Sequence, residues 1–138
     1  MIEVVLALGV VSFCLVTLIG LLTIGLQAGR DSSDTIQAAD MASWLVSVRR
    51  SAPTNALPAA FPLPALNQAS SGEVYLSDGG AIAPAPGAAF RLGYGISTNA
   101  SAIALLSLRL SWPASANPIT QPQLVKGRYE LATCIPLP

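Results

Sequence analysis

Between Val4 and Gly29 the chain carries no charged residue, and this run decides most of what the molecule can become. It reads VVLALGVVSFCLVTLIGLLTIGLQAG, with fifteen Val, Leu, Ile or Phe residues in 26 positions. Wound as a helix at about 1.5 Å per residue it extends about 39 Å, more than the roughly 30 Å hydrocarbon core of a bilayer. At about 0.4 kcal/mol for each large apolar side chain, insertion gains roughly 6 kcal/mol, less small polar terms from Ser12, Thr17 and Thr23. The sequence therefore predicts a transmembrane helix over residues 1–29. A cleaved secretory signal would want a basic region ahead of a shorter apolar stretch, whereas Glu3 leads into this one.

The remaining length allows one small head. Arg30-Asp31-Ser32-Ser33-Asp34 changes the composition abruptly, after which Met41, Trp44, Leu45 and Val48 recur at i, i+3, i+4 and i+7. That spacing predicts an amphipathic continuation of the helix over 30–52, its stripe laid on a sheet. Asp31, Asp34 and Asp40 precede Arg49 and Arg50, the order a helix dipole favours, and these charges read as a solvated face. Pro53 stops the helix. Ser32 or Ser33 offers a cap for a separate helix, which would break it in two.

Residues 53–138 read as a β-rich head with Pro/Gly-rich loops. A proline-rich connection over 53–72 leads to strands at Glu73–Ser77, around Phe90–Ile96, around Leu106–Trp112 and around Tyr129–Ile135. The last three alternate apolar and polar residues strictly, so each has one buried face. Asp78-Gly79-Gly80 is a turn sequence that needs positive φ. Hairpin connections make the sheet antiparallel, and the fold class is α+β: a long helix whose second half packs on a small sheet. The loop from Pro113 to Val125 is a candidate surface for contacts between subunits.

Histidine is absent and the seven basic residues balance seven acidic ones. The commonest general base and transition-metal ligand is thus missing, and the scattered arginines form no electrostatic footprint for nucleic acid. No phosphate-cradling loop, calcium loop or activated nucleophile is legible, and Glu73, Asp78 and Glu130 read as surface charge. The expectation is a non-enzyme with no cofactor, no metal and no nucleic-acid partner. Cys14 and Cys134 are expected to be free thiols. Asn99-Ala100-Ser101 fits a glycosylation acceptor in an exposed turn, a pattern that chance also produces.

Glu3 is the most informative single residue, because an acid at the head of a membrane helix needs water, a partner or the helix dipole. Two readings stand: an interfacial carboxylate on the positive helix end, or one that neutralises the α-amino group of a neighbouring subunit in a low-dielectric bundle.

Ile2-Glu3-Val4-Val5-Leu6-Ala7-Leu8 and the run behind it resemble the N-terminal helix of type IV pilins and type II secretion pseudopilins. There a Leu-Ile-Glu or Leu-Val-Glu tripeptide opens a long apolar helix. The resemblance covers about the first thirty residues. The style of the run, with a Gly/Pro/Ala-rich head ending in Tyr-Glu-Leu-Ala-Thr, looks closest to the pilin-like Verru_Chthon cassette proteins. The resemblance implies a pilin-like fold and a subunit-pairing role for Glu3 in assembly. Val4, Leu8, Val11, Leu15, Leu18 and Leu22 become the filament-core face.

As partners it implies further copies of the chain in a homopolymeric filament, the inner membrane before assembly, and a prepilin peptidase with its assembly machinery. The expected location is the inner membrane for the free subunit and the cell surface or exterior once assembled. The alternative is a minor pseudopilin or a membrane-tethered binding module of a secretion or DNA-uptake system.

The chain departs from the family pattern in two places. Relatives place the glutamate four positions after a methylated residue, usually phenylalanine, whereas Glu3 lies two after Met1, so no residue is assigned the methylated role. Relatives often carry proline near Ile19–Thr23, where this chain has Gly20 and Gly25. At about 1 kcal/mol each in a helix interior, those glycines mark either a site of unwinding in a filament or a place for close helix packing.

Overall fold

The computed structural model describes residues 2–55, 57–99 and 102–138. One helix, α1, runs Ile2–Ser51, followed by strands β1 (Ser70–Leu76), β2 (Phe90–Thr98), β3 (Ile103–Trp112) and β4 (Gly127–Pro136). Short 3-10 turns at Ala85–Gly87 and Pro122–Leu124 interrupt the loops. The strands form one antiparallel sheet in the order β1-β2-β3-β4. The chain divides into two compact units, Met1–Ser33 and Asp34–Pro138.

The helix is continuous through Ser32 and Ser33, so the break that either serine would have capped does not form. It stops at Ser51, two residues before Pro53, with Ala52 N–H still reaching back to the Val48 carbonyl at 3.2 Å. The arginines Arg49 and Arg50 in the last turn and Glu3 in the first match the helix dipole.

Within the second unit, the buried helix positions are Ala38, Met41, Ala42, Leu45, Val46 and Arg49. This is a 3-4 repeat rotated from the expected stripe. Met41 and Leu45 sit where expected, but Val48 is only half-buried and Trp44 is 51% exposed, its ring edge-on to Phe61 with centroids 5.6 Å apart. The reason is steric: small Ala38 and Ala42 let the helix approach the sheet, which turns Trp44 outward onto the loop. Opposite the helix, Leu92, Ile96, Leu106, Leu108 and Leu110 supply the sheet's share of one continuous core. Phe90 and Trp112 close it with rings 5.9 Å apart.

The alternation expected for the last three strands appears in β3 as strictly alternating exposed and buried residues through Leu110. β1 starts earlier than its apolar residues suggest, at Ser70, because Ser70, Ser71 and Gly72 pair with Ile96, Gly95 and Tyr94. Here the partner strand sets the boundary against weak local β-propensity. At the other edge Gly127 faces the Trp112 indole. A Cβ there would lie 2.3 Å from Cζ2, so glycine lets β4 approach that ring. In the Ser77–Gly80 turn only Gly80 takes positive φ, at 77°.

Arg49, expected on a solvated face, is instead among the most buried residues of the head, at 1% exposure. Its Nη1 donates to the carbonyls of Ala52 (3.0 Å) and Asn55 (2.9 Å), its Nη2 donates to the Leu63 carbonyl, and its guanidinium lies 5.2 Å from the Phe61 ring centre. Burial lowers its pKa from the ordinary arginine value. The Asp-to-Arg order along the helix is therefore not one uniform exposed face: Arg49 has been turned inward to hold the proline-rich connection, while Arg50 stays exposed.

Candidate functional site

Glu3 lies exposed in the first helical turn, at the positive end of the helix dipole. Val4, Leu8, Val11, Leu15, Leu18 and Leu22 follow, each 54–64% exposed. They share a side of α1, but the opposite side is also apolar: Val5, Leu6, Phe13 and Ile24 are exposed as well. Apolar residues on every side distinguish this half from the head-facing helix, which has one stripe.

The three hydroxyls in the run are satisfied within it. Ser12 Oγ donates to the Leu8 carbonyl at 2.8 Å, Thr17 Oγ1 to Cys14 at 2.8 Å, and Thr23 Oγ1 to Ile19 at 2.8 Å. Such back-bonding removes the desolvation cost that a free hydroxyl would carry into hydrocarbon. Gly20 and Gly25 are helical, and a Cβ built at either meets nothing within 4 Å. Their smallness answers no packing need among the described residues.

The segment is long and apolar enough to cross a membrane, and its large apolar side chains are all exposed. Water is a poor environment for such a surface: each Val, Leu, Ile or Phe left exposed forgoes about 1.5–3 kcal/mol. A patch of this extent is the mark of a membrane or assembly surface.

The other residues singled out from the sequence lie in the head or stand alone. Cys14 and Cys134 are free and exposed. Asn99 is exposed at the end of β2 and its Oδ1 accepts from Ile103 N–H at 3.2 Å, while Ala100 and Ser101 of the acceptor pattern lie outside the described residues. Glu73 pairs with Arg91, and Glu130 with Arg109 at 2.8 Å, so both carboxylates have guanidinium partners. Among the described residues no group of three or more His, Cys, Asp or Glu side chains is placed to hold a metal ion.

What sequence reading missed is the solvent face of the sheet. Glu73, Gly93, Arg109 and Glu130 stand side by side across all four strands. With neighbouring rows they form the floor and walls of a cleft of about 620 Å³. The signal existed only as the polar half of each alternation, whose alignment depends on strand register. Comparison with family models, with curated proteins and with solved structures gave no match.

Proposed function

We propose that this chain is a structural subunit of a type IV pilus-like filament, held in the membrane by the first half of α1 and polymerising through it. The observation that carries the reading is the exposed apolar surface on every side of residues 4–26, preceded by Glu3. A simple anchor needs the hydrophobicity, and its helix dipole accommodates an acid at its head without using it. A helical bundle uses both, because a neighbour's α-amino group would neutralise the carboxylate where the dielectric is low. A heterologous, non-closing contact between copies yields an open filament rather than a ring. The back-bonded hydroxyls support the same reading, since they let the helix exchange lipid for protein neighbours without stranding a polar group.

The test is electron microscopy of material sheared from cells producing the protein, with mass spectrometry of any filaments. Filaments built of this chain are expected. Recovery only from membranes, at low copy, would replace the proposal with a minor pseudopilin or tethered binding module. Glu3→Ala is expected to reduce filament yield at least about tenfold while leaving the head's thermal unfolding unchanged, as removal of a low-dielectric charge pair predicts. Normal filaments from that variant would remove the role given to Glu3.

A further inference from the structure

The cleft on the solvent face of the sheet has a floor that the fold itself does not explain. Four glycines lie within strands, and three have reasons inside the molecule. A Cβ at Gly72 would strike the Tyr94 hydroxyl at 2.6 Å, one at Gly95 would strike Ser107 Oγ at 2.7 Å, and one at Gly127 would strike Trp112. Gly93 has none: a Cβ there meets only the Arg109 carbonyl at 3.8 Å, an ordinary contact. Its φ is not positive and the register on both sides is unbroken, so neither a turn nor a bulge requires it. Glycine in a strand interior costs about 0.5–1 kcal/mol relative to alanine. The remaining reason for one is close approach by something outside the chain.

The walls specify the chemistry of that visitor. Arg91 pairs with Glu73 on one side of Gly93, and Arg109 with Glu130 on the other. An anion would meet two carboxylates and a cation two guanidinium groups, so neither is favoured. An uncharged ligand with groups that both donate and accept satisfies both walls, and hydroxyls do so. A peptide strand is a poorer fit, because it seeks an open sheet edge, whereas the main-chain groups beneath this face are already paired in the ladders. Ile119, 73% exposed, and Pro118 add an apolar surface at the cleft's margin, suited to the C–H face of a sugar ring. The volume falls within the usual range for small-molecule sites, about 300–1,000 Å³.

We infer that the cleft over Gly93 binds an uncharged saccharide, its hydroxyls donating to Glu73 and Glu130 and accepting from Arg91 and Arg109. The inference concerns the head alone and stands whether or not the chain forms filaments.

The experiment uses the full chain in a detergent without a sugar headgroup. Maltotetraose, cellotetraose and chitotetraose are titrated as neutral probes, tetragalacturonate as the anionic one, by calorimetry and saturation-transfer NMR. At least one neutral probe is expected to bind in the millimolar range or tighter, and tetragalacturonate about tenfold more weakly. Gly93→Leu fills the floor and is expected to weaken the neutral probe at least about tenfold with the thermal unfolding temperature equal to the parent's or higher. Ile119→Ser, at an exposed position, is expected to weaken it about threefold and reads the same site if the leucine variant fails to fold. No binding by any neutral probe, equal binding by a folded Gly93→Leu variant, or preference for tetragalacturonate would overturn the assignment. So would binding unchanged by Ile119→Ser where Gly93→Leu does not fold.

Discussion

The two halves of α1 are built to opposite rules. Residues 34–51 bury Ala38, Met41, Ala42, Leu45, Val46 and Arg49 and leave the other side to solvent. Over residues 4–26 every large apolar side chain is exposed, on all sides of the helix. A helix with one stripe finds its partner inside its own chain; one apolar all round must find it elsewhere. The lesson is that hydrophobicity alone does not locate a core. The more apolar half is the one the chain does not bury.

Substitutions sharpen this contrast. The largest effect is expected from Leu15→Lys, which should disfavour membrane insertion by about 3–4 kcal/mol. Of the roughly 6 kcal/mol that insertion gains, about 2–3 kcal/mol then remain, so on alkaline extraction of membranes the single variant stays in the pellet and the double variant with Leu18→Lys is released, with the head's unfolding transition unmoved in both. Leu45→Ala is the reciprocal change: about 3 kcal/mol of head stability should be lost through transfer and cavity terms, with membrane retention intact. Leu15→Ala, the same chemical deletion in the other half, should leave denaturant unfolding of the head within about 0.5 kcal/mol of the parent. If both alanine variants destabilised the head equally, the contrast between the halves would fail.

Smaller effects test the head's charges. Arg49→Met leaves three loop carbonyls without their donor and should cost about 2 kcal/mol, read in the same unfolding experiment. Arg49→Lys should recover only part of it, because an ammonium lacks the planar fork. Arg109→Gln breaks an ion pair whose two side chains are each 49% exposed, and should cost under about 1 kcal/mol, less still at high salt.

The apolar run and the alternating strands were legible because each depends on a local period or composition that the chain states directly. The two-layer α+β arrangement followed from them. Arg49 was not legible: Val48 and Arg49 both fall on the inward side of the helix, and hydropathy favours the valine. What reverses that preference is a set of carbonyls between three and fourteen residues further on, within a loop that has no periodic signal. The early start of β1 was hidden for a related reason, since its first residues are held by β2 rather than by their own propensity. Glu3 was singled out from the run itself, whereas the choice of six apolar positions within the run came from the resemblance. The cleft required the register of four strands, which turns Glu73, Gly93, Arg109 and Glu130 from scattered residues into one row.

The way Arg49 holds the connection has a consequence for how this protein can change. Its hydrogen bonds go to main-chain oxygens of Ala52, Asn55 and Leu63, which every residue type possesses. The anchor is therefore indifferent to most of the side chains between Pro53 and Pro62. Replacing the exposed residues there alters what the surface presents while the loop stays tied at the same points. A single fixed arginine thus leaves a stretch of the exterior open to variation.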